Sequence, residues 1–407
     1  MEENQYEENQ MKPIDRPLYL KRIEPMINTE FIKIITGVRR SGKSYLLLMI
    51  KDKLLSMGVD EDQIIYINFE NPEFFDLLSY KDWYKYLKDK VVANKKVYLL
   101  FDEIQEVSEW QKLINGLRIA FDSDIYVTGS NASLLSGEMA TYLTGRYVEI
   151  KMLPSTFKEF LHFKKLKNTD PARHLSEYLE YGGFPSVVLQ TNSQLKRDVL
   201  SGIYNSILLR DVAGRATIKN TEVLERIALY LLSNTGQLIS INKIANTLRS
   251  SGLKVSNNTI ENYLELLHNA FLFYKVPRFD IRGKKYLRGQ GKYYVVDLGF
   301  IRSQLQRKNI NRSSKIENLV YLELLSRGYE VFLDKYNDKE IDFVAQKDTD
   351  VKYIQVTDHI PENSTRESDN FLHLPTGYQK IIITNNWDDV GNIDGIPVIH
   401  IIDFLTK

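Results

Sequence analysis

The 407-residue chain contains no cysteine. Disulfides, thiolate zinc sites and cysteine nucleophiles are therefore excluded, and a reducing compartment suits the composition. An excess of charge of either sign is also missing: 54 Lys and Arg stand against 53 Asp and Glu, for a net charge of +1. Whole-chain electrostatics selects no highly charged partner, so any nucleic-acid surface has to come from local clustering. No apolar run is long enough to span a bilayer. The first ten residues are polar and acidic and lack the basic start and apolar stretch of a secretory signal. These absences give the expectation of a structureless tail over residues 1–16, no membrane association and a cytoplasmic location. What remains is ordinary globular composition, 43% hydrophobic and 26% charged, in a chain long enough for several domains.

The densest information lies in Gly37-Val38-Arg39-Arg40-Ser41-Gly42-Lys43-Ser44, which has the form G-x-x-x-x-G-K-[ST]. An apolar, β-branched run (Phe31 to Thr36) precedes it and an apolar run from Tyr45 to Lys51 follows. Strand, glycine loop and helix is the arrangement that lets backbone N–H groups and a helix N-terminus cradle phosphates. Residues 37–45 are accordingly the expected ATP site, with Lys43 reaching the outer phosphates and the Ser44 hydroxyl ligating Mg2+.

Further strand-like runs follow at Gln63 to Phe69, Val97 to Phe101, Asp124 to Thr128 and Tyr147 to Ile150. Alternation of strands with helical patterns predicts an α/β fold, a mostly parallel P-loop sheet covered on both faces. Ligands of such sheets bind at the strand C-termini. The run ending at Phe101 leads into Asp102-Glu103, a Walker B pattern: Asp102 for the metal, Glu103 to polarise the attacking water. The extra strand between the two motifs points to a sheet in which the Walker B strand is not the neighbour of the P-loop strand. Ser130 and Asn131, after the next strand, either sense the γ-phosphate or cap a turn. Arg146, before the last strand, either serves as an arginine finger to a neighbouring subunit or forms a salt bridge.

Taken together, the P-loop, Phe101-Asp102-Glu103 with Trp110, Thr128-Gly129-Ser130, Leu143-Thr144-Gly145-Arg146, Leu153-Pro154 with Glu159-Phe160, Tyr181-Gly182-Gly183-Phe184-Pro185 and Arg210-Asp211 resemble the AAA-type ATPases of bacteria and archaea that carry a nuclease-like C-terminal domain. The resemblance implies ATP binding and hydrolysis by residues 17–153 and a helical lid over residues 154–220. Arg210 with Asp211 either forms an ion pair fixing that lid or reaches the nucleotide.

Within residues 221–300, the stretch Ile239 to Leu248 reads as a short amphipathic helix. Ser256 reads as the cap of a second, with Asn257, Asn258, Thr259, Asn262 and Tyr263 near its start. Two strand-like runs follow, and between them lie Arg278, Arg282, Lys284, Lys285, Arg288 and Lys292. Helix-turn-helix plus a basic hairpin is a winged-helix pattern. The hairpin either grips DNA phosphates or is a solvated face, and the unit either meets a protein partner or DNA. Residues 301–407 resemble the core of the PD-(D/E)xK nucleases, with Glu317 and Asp342 where metal-binding carboxylates belong. The third element departs: Gln355-Val356-Thr357 stands where that pattern has a carboxylate and a lysine, and Lys352 is the nearby candidate substitute. The domain is thus expected to be a degenerate nuclease. Three functions are left standing: an ATPase that drives change on DNA or a protein partner, alone or as a homo-oligomer; an ATP-controlled nuclease; and a slow nucleotide-dependent switch.

Overall fold

The computed structural model describes residues 15–75, 77, 79–135, 143, 145–165, 170–214, 218, 220–280, 285–305, 310–336, 339–362, 366–371, 374 and 377–407, of which residues 133, 278–280, 285–290, 334–336, 339 and 366 are described in backbone only. The chain divides into two compact units. The first takes residues up to Gly37 together with Ser41–Met152, and the second takes Val38–Arg40 together with Leu153–Lys407.

In the first unit five parallel strands, β1 (Ile32–Thr36), β2 (Ile64–Asn68), β3 (Val97–Asp102), β4 (Ser123–Gly129) and β5 (Tyr147–Lys151), form a sheet in the order β2-β3-β4-β1-β5. The P-loop strand β1 is therefore flanked by β4 and β5, with β4 inserted before the Walker B strand β3, as expected from the sequence. The strands are mostly apolar because both faces are covered, with Lys33 of β1 and Asp124 of β4 buried as a pair. Alternate residues go to opposite sides. Ile34, Leu99, Phe101 and Val127 pack with Trp83 and Leu87 of helix α3 (Tyr80–Lys90) and with Trp110, Ile114 and Leu117 of α4 (Trp110–Ala120). Ile35, Tyr98, Leu100 and Tyr126 pack with Leu46, Leu47 and Ile50 of α2 (Lys43–Ser56) and with Tyr19 and Ile23 of α1 (Pro17–Ile23).

The expected structureless tail is too long by at least one residue. Arg16 is 1% exposed. Its guanidinium lies over the Tyr19 ring and donates a 2.9 Å hydrogen bond to the Ser41 carbonyl. The remainder of the tail, residues 1–14, lies outside the described residues.

The second unit opens with helices over Phe157–Phe163, Pro171–Tyr181, Pro185–Val188 and Ser193–Ser206, the last continuing as a π-helix over Ile207–Ala213. Residues Thr221–Ser233, Ile241–Ser250 and Asn257–Asn269 are helical. Ser240 and Ser256 cap the latter two, accepting from Lys243 N at 3.2 Å and Thr259 N at 3.1 Å. One nine-stranded sheet then joins β6 (Leu238–Ile239), β7 (Phe273–Asp280), β8 (Lys285–Val295), β9 (Glu330–Tyr336), β10 (Lys339–Lys347), β11 (Asp350–Thr357), β12 (Gln379–Thr384), β13 (Gly391–Ile393) and β14 (Ile396–His400), in the order β13-β14-β12-β11-β10-β9-β7-β8-β6. The sheet crosses residue 300 without a break, because β7 pairs in parallel with β9. The hairpin and the C-terminal strands thus share one hydrogen-bonded ladder.

The glycine pair in Tyr181-Gly182-Gly183-Phe184-Pro185 has a structural cause. Asp297 accepts from Gly183 N at 2.7 Å and Gly299 N at 2.8 Å. A Cβ at Gly182, whose φ is +72°, would stand 1.6 Å from the Asp297 carboxylate. Only glycine allows that approach.

Candidate functional site

The phosphate cradle is built by the backbone first. Gly37 and Gly42 have φ of +153° and +105°, and a Cβ on Gly37 would lie 2.1 Å from the Met152 carbonyl. Arg40 also takes a positive φ, +65°. Gly42 is the N-cap of α2 and gives no side-chain cap. The first-turn amides of a fourteen-residue helix are therefore left for an anion, where the helix dipole favours one.

Lys43 is 4% exposed. Its Nζ donates to the Gly37 carbonyl at 3.1 Å and stands 3.7 Å from Glu103 Oε1. Asp102 ends β3, fully buried, and its carboxylate is held by neutral hydroxyls. Thr128 Oγ1 donates to Oδ1 at 2.5 Å, Tyr66 OH to Oδ2 at 3.4 Å, and Ser44 also bonds it. Burial pushes the Asp102 carboxyl above its ordinary range, and the Thr128 and Ser44 hydroxyls oppose that without cancelling it. Glu103 is 7% exposed and sits in the left-handed region at φ 53°, ψ 51°. Its N–H donates to Thr128 Oγ1 at 2.9 Å, and its Oε2 accepts from Gln105 Nε2. A non-glycine residue in that region is uncommon and marks a position constrained for a reason.

Ser130 and Asn131 follow β4 directly and are buried. Register puts them beside the P-loop, since Gly129 pairs with Thr36. Among the described residues the buried Ser130 and Ser41 hydroxyls have no hydrogen-bond partner. Arg146 goes elsewhere. It is exposed and its carbonyl accepts from Ile32 N at 2.9 Å, at the start of β1. Four residues of strand, about 13 Å at ~3.3 Å per residue, separate that end from Thr36. Within one chain the structure does not bring Arg146 to the cluster.

Of the remaining cradle residues, Val38 to Arg40 belong to the second unit. There Arg39 makes two bonds to Asp211, 3.0 Å from Nε and 3.1 Å from Nη2. The forked guanidinium of Arg39 matches the Asp211 carboxylate, a partner that the expectation for Arg210 and Asp211 did not include. Tyr45 is 42% exposed on the first turn of α2.

The second unit holds a further cluster. Glu317, on the helix Arg312–Ser326, and Asp342, on β10, come together. The cation between them is Lys292 of β8. Its Nζ donates to Glu317 Oε1 at 2.8 Å and Asp342 Oδ1 at 3.3 Å, with Glu340 Oε1 at 3.7 Å. Tyr294 OH donates to Glu317 Oε1 at 2.6 Å, and Val356 N to Asp342 Oδ2 at 2.9 Å. Gln355 Oε1 accepts from Asp342 N at 3.4 Å. Burial and then the Asp342 charge push the Glu317 carboxyl up to about 7, against the pull of Lys292. Burial alone would lower the Lys292 ammonium, but the three carboxylates outweigh it and hold it above the ordinary lysine range.

Two expectations are corrected here. Lys352 does not substitute for the missing lysine: it lies three residues from Gln355, on the opposite strand face, and pairs with Asp350 at 3.0 Å and Tyr329 OH at 2.8 Å. Lys292 does not belong to the basic hairpin set, because it is 6% exposed and turned inwards. The other members, Arg278, Arg282, Lys284, Lys285 and Arg288, lie outside the residues whose side chains are described. The sequence offered one signal for Lys292. It adjoins the apolar run Tyr293 to Val296, and strand parity sets it on the same face as Tyr294.

Comparison with known proteins agrees with the first unit's geometry. The pattern of the family described as AAA domain matches residues 29–161, and that of a domain of unknown function, DUF8612, matches residues 172–311. An "Uncharacterized protein" of Haemophilus influenzae is 48% identical over 400 residues, covering 97% of this chain and 99% of its own. "Uncharacterized protein MJ1544" of Methanocaldococcus jannaschii is 34% identical over 348 residues, 82% of this chain and 75% of its own. Among solved structures, the Walker-type ATPase PABY2304 of Pyrococcus abyssi superposes with a TM-score of 0.50 at 14% identity, covering 71% of this chain and 95% of that one. That last likeness concerns the fold. Among the described residues no helix is long and apolar enough to cross a membrane. The chain belongs to the family of the Haemophilus and Methanocaldococcus proteins, and its first unit is an AAA-type P-loop ATPase domain.

Proposed function

We propose that the first unit binds Mg-ATP and hydrolyses it, and that the second unit carries the nucleotide state to DNA or a protein partner in the cytoplasm. The observation that carries this reading is the buried Asp102 carboxylate, bonded to the Ser44, Thr128 and Tyr66 hydroxyls and flanked by Lys43 and Glu103 at an uncapped helix N-terminus. The residues fit the metal. A site with one carboxylate and one hydroxyl suits Mg2+, which keeps its water and takes phosphate oxygens for the rest of its shell. Ser44 and Asp102 would hold it, and when bound it neutralises charge building on the phosphates.

In this reading the α2 amides and Lys43 hold the phosphates. Lys43 exchanges its bond to the Gly37 carbonyl for the outer phosphate oxygens. Glu103, aimed by its left-handed backbone and by Gln105, takes a proton from the attacking water. Thr128 keeps the aspartate and the glutamate in register, since one hydroxyl contacts both residues. Ser130, with its unpartnered hydroxyl, and Asn131 sense the γ-phosphate from the adjacent strand end. Arg146, placed away from this cluster, would act only on a neighbouring copy, which makes it a test of homo-oligomerisation.

For the second unit we propose a winged helix over residues 221–300. Its support is the order of helices and hairpin and the two serine caps. The ATPase rate measured with and without double-stranded DNA, single-stranded DNA and lysate proteins tests the coupling. Stimulation by one of them names the partner class, and a flat rate throughout argues for the slow-switch alternative. Sedimentation in ATP, wild type against Arg146→Ala, tests the subunit role. A monomer of full activity would end it.

A further inference from the structure

The resemblance of residues 301–407 to metal-dependent nucleases raises the question of whether Glu317 and Asp342 can hold a divalent ion. The residues present do not fit one. A metal site converges several oxygens on an empty point, and here that point is filled. The Lys292 ammonium bonds Glu317 at 2.8 Å and Asp342 at 3.3 Å and has Glu340 within 3.7 Å. The second Asp342 oxygen is spent on Val356 N, and Glu317 Oε1 also accepts from Tyr294. The third element offers no relief. Gln355 is neutral, and the Thr357 hydroxyl donates to the His359 carbonyl at 2.9 Å, away from the cluster.

The arrangement is built by three separate pieces of fold. Strand β10 departs from regular pairing with β9 between Ile341 and Val344, a bulge that re-aims Asp342. Gly236, at φ +73°, comes within 3.6 Å of the Glu317 carboxylate when given a Cβ, so the loop before β6 passes closely there. Asn318, beside Glu317, ties its helix to β8 by accepting from Val295 N and donating to Val295 O, both at 2.9 Å. Lys292 and Tyr294, two apart on β8, both bond Glu317.

We infer that Lys292 is the resident cation of this pocket, a built-in ammonium that excludes divalent metal and locks the hairpin β7–β8 onto β10 and the helix Arg312–Ser326. A dication entering the pocket would meet a fixed positive charge and would have to break two charge-assisted hydrogen bonds before gaining its own ligands. The C-terminal strands then do no metal-dependent phosphodiester chemistry, and the cluster's role is to hold the shared sheet together.

The test is a Mn2+ titration of the full chain without nucleotide, followed by the electron paramagnetic resonance of free Mn2+. It is run in an Asp102→Asn background, which removes the carboxylate proposed to hold metal in the first unit. The Asp102→Asn chain is expected to take up no Mn2+ in the micromolar range. Adding Lys292→Met should open a site at least tenfold tighter than any in the parent. Adding Asp342→Asn should then remove it, while Lys292→Arg, which keeps the charge, should leave the parent behaviour. Micromolar Mn2+ uptake by the Asp102→Asn chain that Asp342→Asn abolishes would overturn the inference. So would a folded Lys292→Met chain that binds no Mn2+. The parent titration needs no change at Lys292, so a misfolded Lys292→Met would not spare the claim.

Discussion

Each of the two units holds a cluster in which a buried lysine stands beside acidic residues, Lys43 in the first and Lys292 in the second, and these two clusters are arranged to opposite ends. In the first unit the aspartate is satisfied by hydroxyls: Thr128, Tyr66 and Ser44 bond Asp102, and Lys43 spends its hydrogen bond on the Gly37 carbonyl. Neutral donors orient a carboxylate without cancelling its charge. In the second unit Lys292 bonds Glu317 and Asp342 directly. A buried carboxylate held by hydroxyls is a cation site in waiting, and one held by an ammonium is already paired. The acidic residues alone look alike in the two places. The donors around them separate a reactive site from a structural one.

The largest effect expected from breaking this comparison is at Lys43. Lys43→Ala should remove nucleotide binding by isothermal calorimetry while the circular dichroism spectrum stays native, because the Lys43 ammonium stands at the uncapped start of a helix whose apolar residues Leu46, Leu47 and Ile50 hold it to the sheet. The opposite is expected at Lys292. Lys292→Met should leave nucleotide binding intact but destabilise the second unit by about 3–5 kcal/mol, the cost of stranding buried charge, read from urea melts with separate probes on each unit. A smaller cost is expected at Thr128. Thr128→Val keeps the shape but takes from the buried Asp102 carboxylate and the Glu103 N–H the hydroxyl that bonds both, a loss of about 1–3 kcal/mol, accompanied by slower turnover. Equal costs for Lys292→Met and Thr128→Val would erase the proposed difference between charged and neutral donors.

The smallest expected effect is a proton. Burial raises the Asp102 carboxyl, so as pH falls towards that raised value a growing fraction is protonated and must ionise before it can take Mg2+. Mg-nucleotide binding should then weaken as pH falls and release a fraction of a proton, seen as a dependence of the binding heat on buffer. Asp102→Asn should abolish the release.

Much of the first unit was legible because its chemistry is local. Gly37 to Ser44 is a contiguous string, and the five strands lie within about one residue of the apolar runs that announce them, since a sheet buried on both faces leaves uninterrupted apolar stretches. The caps Ser240 and Ser256 were legible for the same reason: a cap acts over three residues. The rest depended on distance along the chain. Arg16 adjoins a polar tail, and nothing near it shows that Ser41, 25 residues on, supplies its acceptor. Asp211 also bonds Arg39, 172 residues away, and nothing near either residue in the sequence announces it. Lys292 stands in sequence at the end of a run of basic residues, and composition does not show that it alone of the described side chains there is buried against Glu317 and Asp342. Gly182 makes room for the Asp297 carboxylate and Gly183 for the Ser155 carbonyl, approaches that no local pattern reveals.

Calorimetry and ATP turnover on one variant, Glu103→Gln, probe the central claim most directly. The account expects Mg-ATP to bind as tightly as to the wild type while hydrolysis falls by roughly a hundredfold or more, the range for removing a general base. Wild-type turnover in Glu103→Gln, or no heat of Mg-ATP binding to either protein at millimolar concentration, would contradict it.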